Sequence, residues 1–473
     1  MTDLTPRVPQ FRPLLWEDGV ELLQEAWQDL MPQASLYIAG GAVRDAYWHR
    51  PIKDLDLTTD GDPIRLGRKL ADRLRGDLFI MDAERGVVRI WADVRGRRWQ
   101  IDVTRFRGAS LLEDLQGRDF TINALAVDAR GDLSMLIDPI EGERDAHQRV
   151  LRACGAQSIA DDPIRALRAV RQSLAFNLRI EPQTLAQIRR NGSRLNQTSA
   201  ERVRDEFFAL LSGDRVASGL RLAQTLGLLL AISPLLASEG QAWQQTLLAL
   251  EKLEHILLAI SPRRTDSTAA AFDLGMLVIQ LDRYRAKLNQ HLEQRYANER
   301  PHRALLMLAC LCHALPETEV EALADSLRLS NAEKRVVVLA VTHWRQANDL
   351  SVEPLSLHRF WYPLETQGID SLLLGLALYL AQQGLELRQN DWLAQVERVL
   401  EAMKAYFERY EEIVRPTVWF NGTQLMEALG LKQGRALGRL LEAIREAQVQ
   451  GQILEADGVL DWARDWLRRC SDQ

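Results

Sequence analysis

Two aspartates separated by a single residue, Asp54 and Asp56 in Lys53-Asp-Leu-Asp-Leu-Thr58, are the strongest chemical signal in this sequence. Alternation with Leu55 and Leu57 predicts a strand, and successive strand side chains face opposite ways, so both carboxylates leave from one face. Like charges so placed repel unless cations lie between them. Aspartate also has poor strand propensity, so a mid-strand pair needs a reason. Mg²⁺, a hard ion held by a few carboxylates together with substrate phosphates, is the cofactor this pair predicts, with Asp54 and Asp56 as its ligands. Asp102, in Trp99-Gln-Ile-Asp-Val-Thr-Arg-Phe106, is a third carboxylate on a strand of the same pattern; it reads equally as an exposed strand residue. Together the three suit phosphoryl transfer with metal ions.

Just upstream, Leu36-Tyr-Ile-Ala-Gly-Gly-Ala-Val-Arg-Asp45 reads as a buried strand ending in Gly40 and Gly41, which open a helix. Backbone N–H groups at a helix start favour phosphate, and glycine lets a ligand approach because no Cβ intervenes. Arg44, one turn on, could add a bidentate phosphate contact. Taken alone, the two glycines are also a plain tight turn. Farther along, Asp162-Pro-Ile-Arg165 predicts a helix start with Asp162 as N-cap and Pro163 in the first turn. Arg165, Arg168 and Arg171 then recur every third residue and stay near one helix face, suited to phosphate and base contacts.

The elements that must hold these residues divide the chain in two styles. Short β-branched or aromatic runs at Ser35–Ala39, Leu55–Thr58, Leu78–Met81, Val87–Ala92 and Trp99–Phe106 predict strands, with a hairpin turn after Ala92. Helical patterns at Leu14–Leu30 and Ile64–Arg75 flank them. From Asp162 onward, apolar periodicity predicts helix almost throughout. A chain of 473 residues, 47% hydrophobic and 26% charged, is a globular composition too long for one core. Its formal charge of −6 excludes a protein whose whole surface coats nucleic acid and leaves local basic patches, among them Arg263 with Arg264 and Lys432, Arg435 and Arg439. Of the four cysteines only Cys310 and Cys312 are close, at a spacing that matches no common zinc pattern, which fits a reducing cytoplasm; no stretch reads as a membrane span or signal peptide.

Gly40-Gly-Ala-Val-Arg-Asp45, Asp54-Leu-Asp56, Arg118-Asp-Phe-Thr-Ile-Asn-Ala-Leu-Ala126, Asp161-Asp-Pro-Ile-Arg-Ala-Leu-Arg-Ala-Val-Arg171 and Glu201-Arg-Val-Arg-Asp-Glu206 occur in the order in which class II CCA-adding enzymes and bacterial poly(A) polymerases carry their motifs. The sequence resembles that family over its first half. The resemblance implies an α+β fold: a mixed-sheet nucleotidyltransferase head (1–150), then an all-α neck (151–215), body (216–410) and tail (411–473). It implies an enzyme that extends the tRNA 3′ end without a template, with Gly41, Arg44 and Arg118 as nucleotide contacts and Asp119 and Asn123 supporting the sugar or the domain. It implies a neck that reads the incoming base. Two positions depart from the family pattern: Gly117 stands where an arginine is usual, and Asp161 where a glutamate is usual.

The base choice that the resemblance implies has a chemical explanation. Cytosine and adenine each present an amino donor beside a ring-nitrogen acceptor, which a carboxylate at Asp162 and a guanidinium at Arg165 would match, whereas uracil and guanine would leave both unpaired. Each unpaired group costs about 1–3 kcal/mol. The tail segment from Phe420 through Gly438 looks like the C-terminal module of bacterial members, with Lys432, Arg435 and Arg439 placed to meet tRNA phosphates. Relatives that add all of CCA carry a long flexible segment before the Arg-Asp-Phe-Thr motif; here Arg107 is followed only by Gly-Ala-Ser-Leu-Leu-Glu before Asp114. The resemblance is therefore to the subgroup that uses CTP to add CC and leaves the last A to a second enzyme; a complete CCA-adding enzyme also using ATP and a poly(A) polymerase are the alternatives. The eight histidines are scattered, and Leu311-Cys-His-Ala314 lacks an aspartate beside His313, so no second metal centre is expected and each histidine reads as a core or surface residue.

Overall fold

A computed structural model describes residues 4–262 and 272–471; the Arg263 and Arg264 patch lies outside them. The chain forms two compact units, one of Met1–Glu206 with Leu222–Ile232, the other of Phe207–Arg221 with Ser233–Gln473. The expected head and most of the expected neck fall in the first unit, which also takes Leu222–Ile232 from the expected body; the rest of the body and the tail fall in the second.

In the first unit six strands form one mixed sheet in the order β3-β4-β5-β2-β1-β6: β1 Leu36–Ala39, β2 Asp54–Thr59, β3 Asp77–Asp82, β4 Val87–Val94, β5 Arg97–Arg105 and β6 Ala126–Asp128. Within this sheet, among the described residues, only β2 and β5 run parallel, with Asp56 opposite Asp102. The five runs expected as strands are β1 to β5, and Arg95 and Gly96, both at positive φ, make the hairpin turn between β4 and β5. β6, three residues long, was too short for its alternation to register in the sequence.

Alternation decides which face is core. Leu55, Leu57, Val88, Ile90, Ile101 and Val103 are fully buried on one face, so Asp54, Asp56 and Asp102 must share the other. Helix Pro63–Leu74 covers the apolar face; Asp62 caps it by accepting from the Ile64 and Arg65 amides, with Pro63 in its first turn. A Cβ at Gly67 would stand 2.9 Å from Val88, so glycine there lets the helix lie close on β4.

Beyond Ile180 the described residues are helical, apart from one isolated bridge between Arg295 and Pro301. Among the described residues no helix is long and apolar enough to cross a membrane. The second unit buries a Leu- and Trp-rich interior that includes Trp361, Trp392 and Leu372. Its C-terminal part has a smaller core of Leu425, Leu437, Leu440, Ile444 and Val459, which leaves Lys432, Arg435 and Arg439 exposed on the outside. The histidines do not stay scattered: His291 and His302 meet at Asp370, a convergence that helix packing creates and sequence spacing hides.

Candidate active site

Strand β1 ends at Ala39, and Gly40 turns the chain at φ +86 into helix Gly41–Trp48. Glycine is required at position 40 twice over. The backbone is in the left-handed region, and a Cβ would fall 2.6 Å from Arg118 Nη1 and 3.2 Å from Asp56 Oδ2. The turn, the second aspartate of β2 and Arg118 are thus packed into one spot, and the helix start beside them offers free amides.

Asp54 is exposed and Asp56 half-buried, and neither carboxylate has a side-chain partner among the described residues. Both hold their protons more tightly than an ordinary aspartate. The protein packed around Asp54 costs its carboxylate part of its hydration even though the residue reaches the surface, and with the nearby charges of Asp102 and Asp45 this pushes it up; burial and then Asp54 push Asp56 up to about 6. Two carboxylates whose ionised forms are disfavoured by burial and by neighbouring carboxylates fit a divalent cation. Asp102 shares the face but not the freedom: Arg89, opposite it on β4, holds it in a two-pronged ion pair with both contacts at 2.8 Å, and Gln100 donates to it at 3.2 Å. Among the described residues, Asp54, Asp56 and Asp102 are not a group whose ligand atoms all lie within 4.8 Å of one another. Asp102 therefore balances Arg89 here, a partner the sequence reading missed.

Arg44 is buried, donating to Asp45 at 3.0 Å and to Asn123 Oδ1 at 2.6 Å with its guanidinium 4.2 Å from the Phe176 ring centroid. The expected bidentate phosphate contact would compete with those partners. Arg118 is held by Asp114, at 3.0 Å. Asp119 accepts from the Phe120 amide, Asn123 Nδ2 and Arg168 Nη1. Its burial alone would raise its pKa; Arg168 and these hydrogen bonds more than offset that and lower it. Asn123 also donates to Gln172. The Arg118–Asn123 segment is thus bolted to the neck helix Ile164–Ala175.

That helix begins differently from expectation. Pro163 occupies the N-cap position with no side-chain cap. Asp162 does not cap; both its carboxylate oxygens accept from Arg202 Nη2, at 2.8 and 3.1 Å, a charged donor that a neutral helix amide cannot match. Arg165 lies beside Asp162, Nε to Oδ2 3.9 Å, and donates to the Gly117 and Arg118 carbonyls and to Ser158. Arg168 and Arg171 share Glu206, and Arg168 also holds Asp119. The arginines expected to meet phosphate and base, Arg168 and Arg171, are therefore ion-paired within the protein. Glu206, which holds Arg168 and Arg171, and Arg202, which holds Asp162, both lie in the Glu201–Glu206 motif.

A strand–glycine turn–helix, two strand aspartates without side-chain partners among the described residues and an arginine-rich helix bonded to the Arg118–Asn123 segment are together suited to nucleotidyl transfer. Residues 36–152 match the poly A polymerase head domain, and 177–239 match the family described as the probable RNA and SrmB-binding site of polymerase A. The A-adding tRNA nucleotidyltransferase of Deinococcus radiodurans is 30% identical over 92% of this chain and 95% of its own. The CC-adding tRNA nucleotidyltransferase of Geobacter sulfurreducens is 28% identical over 88% of each. Among solved structures, the Bacillus stearothermophilus CCA-adding enzyme in complex with CTP has a TM-score of 0.63 at 22% identity, covering 97% of this chain and all of that one. The Thermotoga maritima CCA-adding enzyme complexed with tRNA has 0.60 at 18%, covering 96% of each. The chain belongs to the class II tRNA nucleotidyltransferases, the family of CC-, A- and CCA-adding enzymes.

Proposed function

We propose that this enzyme adds CC to the tRNA 3′ end, using CTP and Mg²⁺. In this reading Asp54 and Asp56 hold the metal, which when bound neutralises triphosphate charge and acidifies the attacking hydroxyl. The Gly40–Gly41 turn and the amides of the helix start receive phosphate. The 3′ oxygen bonds to the α-phosphorus of CTP as the bond to pyrophosphate breaks, so one nucleotide is added per turnover. Arg118 sits above Gly40 and stabilises nucleotide charge, while Arg44, Asp102, Asp119 and Asn123 position the groups around it. Asp162 accepts from the cytosine amino group and Arg165 donates to the ring nitrogen, each exchanging a partner it holds in the free protein. Lys432, Arg435 and Arg439 receive tRNA phosphates.

The observation that carries the choice of CC is the connection after β5. Arg107 N–H donates to Asp114, Ala109 N–H to Glu113, and Ser110 caps helix Leu111–Gln116 by accepting from Glu113 N–H. A short connection tied by its own hydrogen bonds cannot act as a lever that reshapes the pocket from C to A. A pocket of one shape suits the smaller base. The likeness to the Deinococcus A-adding enzyme favours a second reading, a pocket fixed on adenine. The test offers tRNA lacking CCA with CTP alone, and tRNA ending in CC with ATP alone. Two added C residues and no A support the reading; efficient A addition to the CC end with no C addition establishes the second.

A further inference from the structure

We propose that His291, His302 and Asp370 form a second metal centre, in the helical unit, that takes a divalent transition ion of the zinc class. The three residues come from three helices: His291 from the last turn of Arg285–Leu292, His302 from the start of His302–Leu311 and Asp370 from the first turn of Gln367–Gln383. Their exposures are 4%, 0% and 0%. His291 Nε2 and His302 Nε2 lie 3.0 and 2.8 Å from the same oxygen, Asp370 Oδ1, and the ligand atoms of the three residues all fall within 4.8 Å of one another.

Three features favour an ion over a simple hydrogen-bonded cluster. First, the other carboxylate oxygen, Asp370 Oδ2, is buried with no hydrogen-bond partner, and a carboxylate oxygen left bare in the interior is costly. Both imidazoles crowd onto one oxygen while the other has nothing, a poor distribution for protons. A cation held by both carboxylate oxygens and both Nε2 atoms would satisfy every group with four donors, the usual number around zinc. Second, the outer nitrogen of each ring is already anchored: His291 Nδ1 by Thr366 Oγ1 at 3.2 Å and His302 Nδ1 by the Tyr296 hydroxyl at 2.9 Å. A hydrogen-bond acceptor at the outer nitrogen is what orients a metal-bound imidazole and keeps it in one tautomer, a part that either hydroxyl oxygen can play here. Third, among the described residues the only side chains bonded to the Asp370 carboxylate are the two imidazoles, with no arginine or lysine beside them.

The donor set selects the ion. Two imidazole nitrogens with one carboxylate suit Zn²⁺, Co²⁺ and their neighbours, whereas Mg²⁺ prefers oxygen ligands throughout. Full burial makes the centre structural, a clamp on three helices, because an open position for substrate would need access.

The test uses the full-length untagged protein purified without chelator. Elemental analysis should find about one zinc per chain. An Asp54→Asn, Asp56→Asn double variant should keep that zinc, which separates the centre from the head. Asp370→Asn should lose it. Because Asp370→Asn could misfold, the wild-type protein grown on cobalt is measured as well: it should show the visible absorption of four-coordinate Co²⁺, and X-ray absorption should report two imidazole ligands. Stripping the ion should lower the melting temperature of the helical unit, and zinc should restore it. Wild-type protein that carries no transition metal, takes up neither zinc nor cobalt and gives no cobalt spectrum would overturn the proposal and leave a proton-sharing His–Asp–His cluster. So would zinc that persists in folded Asp370→Asn or is lost in the head double variant.

Discussion

The head and the helical body handle buried and half-buried charge in opposite ways. On the open face of the sheet, Asp54 and Asp56 have no side-chain partner among the described residues, and neighbouring carboxylates make both harder to ionise: Asp102 and Asp45 act on Asp54, and Asp54 acts on Asp56. In the body, Glu333 is fully buried yet fully matched: Arg300 grips it with a fork at 2.6 and 2.9 Å, and Ser330 completes a capping box with it at the start of helix Asn331–Asn348. Arg300 and the Ser330 hydrogen bonds outweigh burial and lower the Glu333 pKa. The contrast separates roles. A matched charge holds a fold together, whereas like charges left unmatched destabilise it and persist where a ligand is to complete them.

The largest way to break the comparison is to remove a head carboxylate. Asp54→Ala or Asp56→Ala should cut nucleotide transfer by roughly 10⁴-fold, several kcal/mol of transition-state stabilisation, while the fold stays intact or gains stability. Single-turnover transfer to tRNA and circular dichroism measure the two effects. Turnover like that of the parent enzyme from either variant would return the pair to an ordinary acidic strand. In the body the signs reverse. Arg300→Ala leaves Glu333 buried and unpaired, so denaturant unfolding should show a loss of about 3–5 kcal/mol in the helical unit, with transfer per folded molecule unchanged.

The neck lies between these cases, since its charges are matched in the free protein and proposed to be exchanged for a base. Asp162→Ala or Arg165→Ala should bring UTP or GTP incorporation within about tenfold of CTP, a loss of roughly 1–3 kcal/mol of discrimination per residue. Competition assays with paired nucleotides read this directly. Selectivity unchanged in both variants would leave Asp162 as no more than a partner of Arg202.

Strands β1 to β5 were legible because one face is core and the other is not, which writes a period of two into the sequence. The Asp54–Asp56 pair was legible for the same reason, standing out against that period. The partners were not. Arg89 reaches Asp102 only through the register of β4 on β5, and Arg202 and Glu206 reach the neck across 35 to 40 residues of chain. The expected N-cap at Asp162 failed because a local rule met a stronger distant charge. His291 and His302 join Asp370 from 79 and 68 residues away on three helices, where no local spacing signals the meeting.

The smallest effect, and the sharpest for the comparison, is the pH dependence of stability without metal. Asp56 has an ordinary pKa of 3.8 that the folded head raises to about 6. The folded state therefore binds the proton more tightly than the unfolded state, and stability contributed by that proton is present below about pH 4 and lost as pH rises toward 6. Glu333 has the opposite sign: its folded pKa is lowered, so its contribution is present above its unfolded pKa of 4.5 and lost on acidification. In chelator, raising the pH from about 4 to 7 should weaken β2 by on the order of 2 kcal/mol while the helix Asn331–Asn348 is not weakened. Amide hydrogen exchange, corrected for the intrinsic pH dependence of the rates, resolves the two segments in one experiment. Asp56→Asn should flatten the β2 profile, and saturating Mg²⁺ should reverse its slope, because the ion binds the deprotonated pair. A β2 profile that is flat in the parent protein would mean that Asp56 ionises as an ordinary surface aspartate and that the head holds no unmatched charge for a ligand to complete.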